Sequence, residues 1–228
     1  MRVLIVDIGG TNVKVAGSWR RTPVKIESGP TLTATQMVRA VRALTEAWRY
    51  DVVSIGYPGP VHHGRPLREP HNLGGGWRRM NFERAFGKPV RLVNDAAMQA
   101  LGSYAGGRML FLGLGTGLGS AIVSEGRLEP LELAHLPYRN GESYEDYLGV
   151  RGLEAHGRKK WRRHVEVVSE LLRHALQCDY VVLGGGNVGK LKTLPPRTRR
   201  GSNANAVTGG IRLWAADAAP RAVSSARR

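Results

Sequence analysis

The chain has 228 residues, 42% of them hydrophobic, enough to bury a core in one large domain or two smaller lobes. No apolar run approaches the roughly 18 residues of a membrane span, and the single cysteine, Cys178, excludes an internal disulfide and points to a reducing cytoplasm. The formal charge of +16 fits either an acidic partner (nucleic acid, an anionic membrane surface, inorganic polyphosphate) or an arginine-biased composition spread over the whole surface.

In chain order, Val3 to Val6 reads as a core strand stopped by Asp7, with Val13 to Gly17 returning as a hairpin and Val24 to Glu27 as a third strand. Thr35 to Arg49 has helical spacing, with Met37, Val41, Leu44 and Trp48 on one face. Val52 to Tyr57 is a buried strand closed by the rigid Pro58-Gly59-Pro60, and His62 to Gly76 reads as irregular and exposed. Asn81 to Phe86 predicts a short helix. Val90 to Val93 is a strand ending in Asn94-Asp95, and a helix from Ala96 to Gly102 follows that acid.

A second series begins with strands at Met109 to Leu112 and Ala121 to Val123, then a long helix from about Leu153 to Gln177. On that helix Trp161, Val165, Val168, Leu172 and Ala175 share one face, while Arg158, Lys159, Lys160, Arg162 and Arg163 fan over the other. Trp161 is thereby a core anchor, and the cations form a solvated face able to guide a polyanion. Strand Tyr180 to Leu183 ends in Gly184-Gly185-Gly186-Asn187, and Val207 to Trp214 predicts a closing helix. Residues 215–228 are small, polar and basic, the composition of disorder. Each half opens with a hairpin and a glycine turn, then adds helix and strand.

The chemistry concentrates in two glycine turns that follow apolar strands, Asp7-Ile8-Gly9-Gly10-Thr11 and Gly113-Leu114-Gly115-Thr116-Gly117-Leu118-Gly119. Without a Cβ, such a turn brings backbone N–H groups close to a phosphate. Asp7 adds a carboxylate where a Mg²⁺ accompanying a phosphoryl donor would sit. Neither turn has the spacing of a P-loop or of a dinucleotide fingerprint, and the second is followed by another apolar stretch, as in a β-hairpin. Together the turns resemble two grips on one polyphosphate chain.

Further stretches join them: Gly56-Tyr57-Pro58-Gly59, Asn72-Leu73-Gly74-Gly75-Gly76-Trp77, Val93-Asn94-Asp95-Ala96, Glu132-Leu133-Ala134-His135 and Leu183-Gly184-Gly185-Gly186. In this order, from residue 7 to residue 186, the chain resembles the ROK sugar kinases of the actin/hexokinase/Hsp70 superfamily, and among them the bacterial polyphosphate glucokinases. The resemblance implies an α/β, two-lobed ribonuclease H-like (actin-like ATPase) fold with a cleft between lobes. It implies residues 1–95 as one lobe, closed by a helix at 205–214, and residues 96–204 as the other. Phosphoryl transfer from polyphosphate or ATP to a hexose, foremost the 6-hydroxyl of glucose, is the implied activity.

The same resemblance assigns roles. Asp95 is the general base; a cap for the following helix is its structural alternative. Gly9, Gly10, Thr11 and Lys14 hold the donor from one lobe, and Gly115, Thr116 and Gly117 from the other. Gly184, Gly185 and Gly186 pass beneath adenosine when ATP is the donor. Asp7 positions Mg²⁺ through water. Asn72, Asn94, Asp95, Glu132, His135 and Glu145 bind the sugar, since amides, carboxylates and imidazole match hydroxyls that both donate and accept. His62, His63 and His71 carry no assigned role.

Two departures bear on this. Leu136 to Tyr144 lacks the cysteines of a relative's zinc site, so no zinc is expected, and Ala134 replaces that motif's glycine. The compressed region after Gly186 favours polyphosphate over a nucleotide. A homodimer is implied, with neither a specific nucleic acid nor a membrane as partner. The alternatives are a non-catalytic sugar- or polyanion-binding regulator, although only six residues precede Asp7, too few for a helix-turn-helix.

Overall fold

The computed structural model describes residues 1–215; the basic tail beyond lies outside the described residues. The first sheet is built from β1 (Val3–Ile8), β2 (Asn12–Gly17) and β3 (Arg20–Glu27), then, after helix α1 (Ala34–Leu44), β4 (Val52–Tyr57). A small hairpin of β5 (Val61–His62) and β6 (Arg65–Pro66) and the short helix α2 (Phe82–Phe86) precede β7 (Val90–Asn94). The strand order is β3-β2-β1-β4-β7, with the first three antiparallel and β1, β4 and β7 parallel.

Helix α3 (Asp95–Ser103) leads to β8 (Arg108–Leu114), β9 (Leu118–Ser124) and β10 (Arg127–Leu131). The hairpin of β11 (Pro137–Arg139) and β12 (Glu142–Ser143), helix α4 (Tyr144–Leu148) and the long α5 (Val150–Ala175) follow. Then come β13 (Tyr180–Gly184), a 3₁₀ turn at Val188–Lys190, β14 (Thr198–Arg200) and helix α6 (Asn205–Arg212). The second sheet, β10-β9-β8-β13-β14, repeats the first: three antiparallel strands, then parallel additions. The duplication legible in the sequence is therefore one of topology.

Strand alternation explains what each residue faces. On β1, Leu4, Val6 and Ile8 enter a core shared with α1, while Val3 and Ile5 enter the core between the sheets, which also holds α3 and α6. Asp7 continues the Val3–Ile5 face, so the strand aims its carboxyl toward α3. On β8, Met109 and Phe111 face the same central core and Leu110, Leu112 and Leu114 face α5. Both faces of both central strands are covered, which is why they read as unbroken apolar runs.

Helices α3 and α6 cross closely between the sheets. A Cβ on Gly102 would collide with the Asn205 carbonyl, and one on Gly209 with that of Met98. Ser54 Oγ donates to the Gly210 carbonyl at 2.6 Å and accepts from Trp214 Nε1 at 2.9 Å, which fixes α6 to β4.

Several predicted boundaries move. The helix expected to Arg49 stops at Leu44, where Thr45 caps it and turns its hydroxyl back to the Val41 carbonyl, freeing Trp48 to pack edge-on against Trp19. The loop His62 to Gly76 is not wholly irregular or exposed: it contains the end of β5 and all of β6 and buries Leu73. The long helix begins at Val150 and kinks at Gly157 (φ 71°). Trp161, Val165, Val168 and Leu172 are buried as expected, but Ala175 in its last turn is exposed. The closing helix covers Asn205–Arg212 rather than Val207 to Trp214. Among the described residues, no helix is long and apolar enough to cross a membrane.

Candidate active site

The centre of the site is a pair of carboxylates separated by a glycine. Asp7, near the end of β1, lies beside Gly56 of β4 in register. A Cβ on Gly56 would stand 3.3 Å from Asp7 Oδ1 and 3.5 Å from Asp95 Cα, besides striking Met98. Gly56 is what lets the start of α3 approach β1. The buried Asp7 carboxylate accepts a 3.1 Å hydrogen bond from Lys14 Nζ, its cross-strand neighbour on β2.

Burial pushes the Asp95 carboxyl up to about 7, and the negative charge of Asp7 adds to that; hydrogen bonds from backbone N–H groups and the charge of Lys14 pull the other way. Burial likewise raises Asp7, against the pull of Lys14. A carboxyl held near 7, as Asp95 is, can take or release a proton near neutral pH.

Asn94, not Asp95, caps α3: its Oδ1 accepts from Ala96 N at 2.9 Å and Ala97 N at 3.3 Å, while its Nδ2 donates to the Gly59 carbonyl at 3.0 Å. Asp95 is the first helical residue, with Oδ1 accepting from Ala96 N at 2.7 Å. The neighbouring asparagine does the capping and leaves the acid's other oxygen free.

The first glycine turn is pinned by Gly9 N donating to Asn12 O at 3.0 Å and by Ser28 Oγ donating to the Gly9 carbonyl at 2.6 Å. Gly10 and Thr11 are exposed, and Asn72 sits against Gly10, where a Cβ would meet its side chain at 3.4 Å. The second turn closes the β8–β9 hairpin, as its sequence predicts. Gly115 N donates to the carbonyls of Gly113 and Gly117, both at 3.1 Å, and Thr116 is exposed at the tip. Gly119 packs on Ala96 so closely that a Cβ would overlap it. Contacts thus run from the second turn through Ala96 to Asp95, Gly56 and Asp7.

The third glycine segment joins the second. Gly185 has φ 84°, and its Cβ would stand 2.5 Å from the Leu114 carbonyl oxygen. Asn187 N donates to the Leu114 carbonyl at 2.9 Å and Asn187 Nδ2 to that of Gly115 at 3.0 Å. Sequence reasoning missed Asn187, Ser28 and Lys190; Asn187 follows the glycines directly, but an asparagine after a turn carries no signal of where its amide reaches.

Glu132, His135 and Glu145 form an electrostatic group at the other end. Neither Glu132 nor His135 lies on a helix: Glu132 follows β10 in irregular chain, His135 sits in the turn after it, and both are exposed. Desolvation raises Glu132; the His135 charge opposes this, Glu145 reinforces it, and Arg68 opposes it. The Arg68 carbonyl is held at 2.7 Å by the Tyr57 hydroxyl. Glu145 has a second engagement: its Oε2 accepts from Leu118 N at 3.1 Å and lies against Gly117, so it braces the second glycine turn. His62 and His63 meet edge-on, with ring centroids 3.9 Å apart.

For a divalent cation, no group of three or more His, Cys, Asp or Glu side chains converges among the described residues. Asp7 with Asp95 offers hard carboxylate oxygens of the kind Mg²⁺ takes beside donor phosphates and water. Those residues fit Mg²⁺ carried in with a donor.

The profile of the ROK family matches residues 3–130, more than half of the chain. The chain belongs to the ROK family. A polyphosphate glucokinase of Mycobacterium tuberculosis (strain CDC 1551 / Oshkosh) is 26% identical over 203 residues, covering 79% of this chain and 76% of the relative. A ROK hexokinase from Thermus thermophilus has a similar structure, with TM-score 0.71 at 20% identity over 93% of this chain and 97% of that one. So does an inorganic polyphosphate/ATP-glucomannokinase from Arthrobacter sp. strain KM, with TM-score 0.68 at 22% identity over 93% and 98%. The two-lobed, actin-like architecture of this ROK chain is that of these structures.

Proposed function

We propose that this protein is a sugar kinase that transfers a phosphoryl group from inorganic polyphosphate or ATP to a hexose, foremost the 6-hydroxyl of glucose. The observation that carries the reading is the Asp95 carboxyl, raised to about 7 at the point where the contacts of the two glycine turns meet. Asp95 accepts the hydroxyl proton as the sugar oxygen forms its bond to the terminal phosphorus and the donor's P–O bond breaks. The shed phosphate chain carries the remaining charge away.

Gly9, Gly10 and Thr11 on one side and Gly115, Thr116 and Gly117 on the other hold the donor; the N–H groups of Gly9 and Gly115 shape the turns, those of Gly10, Thr11, Thr116 and Gly117 face the phosphates, and Lys14 balances the charge. When bound, Mg²⁺ beside Asp7 neutralises developing negative charge on the phosphates. Asn72, Asn94, Glu132, His135 and Glu145 bind sugar hydroxyls. Asn94 spends part of its amide on the cap, leaving one N–H for the ligand. Most of the catalytic advantage comes from positioning and closure.

Gly184 to Gly186 run beneath adenosine when ATP is used. The short 3₁₀ turn that follows and the basic face of α5 support polyphosphate as the preferred donor. Val167 and Leu171, 45% and 48% exposed one turn apart on α5, offer an apolar stripe suited to the homodimer of this reading.

The test is a matrix of purified protein and Mg²⁺ with ATP or long-chain polyphosphate against glucose, mannose and N-acetylated hexoses. Sugar phosphate should form with glucose. Sugar binding with no product from any pair would favour a regulator instead.

A further inference from the structure

Three cations converge on the 3₁₀ turn Val188–Lys190, none of whose residues is given a ligand contact in the reading above. Lys190 Nζ donates to Asn187 Oδ1 at 2.8 Å, and the same amide's Nδ2 donates to the Gly115 carbonyl at 3.0 Å. A single amide group therefore separates this ammonium from the donor-facing glycine turn. Asn187 is buried, and its backbone N–H also holds the Leu114 carbonyl. The turn and the glycine loop are thus one rigid unit.

Two guanidinium groups fix the turn from behind. Arg162 of α5 donates through Nε at 3.0 Å and Nη2 at 2.7 Å to the Lys190 carbonyl. Arg200 of β14 donates through Nη1 to the Val188 carbonyl at 2.7 Å and through Nη2 to that of Leu191 at 3.0 Å. Neither guanidinium has an acidic partner among the described residues. Their charge is spent on neutral carbonyls, so the field of all three cations stays available to an anion. Arg158 precedes Arg162 by one helical turn and extends the positive face along α5.

We infer that the Asn187–Lys190 segment, backed by Arg162 and Arg200, is a subsite for the phosphates of a donor chain beyond those gripped by the glycine turns. The ligand class is a linear phosphoanhydride polyanion. Lys190 binds it directly, and Asn187 positions both Lys190 and the Gly115 carbonyl. A nucleoside triphosphate ends in a ribose and base where a longer chain continues as phosphate, so Lys190 acts on donor choice. This rests on the proposed sugar kinase activity only for its kinetic consequence; the binding itself is independent of turnover.

Two measurements separate these. First, calorimetric titration of long-chain polyphosphate into the Asp95→Asn protein, with and without Lys190→Ala, reads binding without chemistry. Second, initial rates with ATP and with long-chain polyphosphate are compared for the wild type, Lys190→Ala, Lys190→Arg and Lys192→Ala. Loss of one charge-assisted hydrogen bond predicts a rise of roughly tenfold in Kd and KM for polyphosphate in Lys190→Ala. Lys190→Arg retains most of the affinity, Lys192→Ala behaves as wild type, and KM for ATP changes less than about twofold.

Thermal melting of each variant controls for folding. Equal losses for ATP and polyphosphate would make Lys190 a general phosphate contact and overturn the subsite, as would a Lys190→Ala titration equal to that of its parent. Lys190-dependent binding without sugar phosphorylation by either donor would keep the subsite and remove the kinase reading.

Discussion

Asp95 binds its proton tightly because burial and the Asp7 charge both oppose ionisation. In the proposed mechanism the base form is the active one, so kcat/KM should rise with pH through an apparent pKa near 7. Lys14→Met removes a charge that favours ionisation and should move that limb upward; a limb that stays in place would contradict the influence of Lys14 on Asp95. The same carboxyl sets a stability slope. Its folded pKa lies above the unfolded value of 3.8, so the native state binds more protons between pH 4 and 7, and stability falls as pH rises through that window. Asp95→Asn should therefore be more stable than the wild type at pH 8, by on the order of 2–4 kcal/mol, with the gain gone below pH 4. Denaturant melts at the two pH values check this. At this scale the sequence showed which residue types lie where but not how polar atoms are shared. The Asn94 amide donated to the Gly59 carbonyl, and the Glu145 carboxylate spent on Leu118 N, depend on contacts between segments distant in the chain.

Central strands and glycine turns were the most legible elements, because doubly covered strands read as unbroken apolar runs and tight turns need glycine. Strand β10 was not expected, since Arg127-Leu128-Glu129-Pro130-Leu131 mixes charge and proline; it forms because its edge position on β9 tolerates both. The polar β14 was missed for the same reason. Helix α1 was drawn too long because Trp48 keeps the helical period although it packs on Trp19 from a turn. The proposed donor side can be broken at one position: Gly185→Ala meets both an unfavourable φ and the Leu114 carbonyl, and should cost about 2–4 kcal/mol of stability together with donor affinity. On α5, Trp161 is fully buried with its Nε1 donating to the Leu148 carbonyl at 3.0 Å. Trp161→Ala should cost about 3–5 kcal/mol, read from a chemical melt, whereas alanine at the exposed Lys159 should cost almost nothing.

The whole molecule is two copies of one sheet topology joined through α3 and α6. Asp95 opens α3, so the helix that carries the proposed base is also the one against which both sheets pack. In the proposed reading, closure of one lobe on the other changes the distance between the two glycine turns while Asp95 stays on the shared core. The glycines at the α3–α6 crossing are essential to it: Gly209→Val would push the helices apart and should lower the melting temperature by several degrees. The dimer of the proposed reading is tested by sedimentation, where Val167→Glu with Leu171→Glu should convert a dimer to a monomer without loss of fold. The most direct test of the central claim is glucose 6-phosphate formation by the wild type and Asp95→Asn, side by side with Mg²⁺ and each donor. Turnover by the wild type, reduced by about a thousandfold or more in Asp95→Asn with glucose affinity kept, is the predicted result. A wild type silent with both donors, or an Asp95→Asn protein as active as its parent, would contradict it.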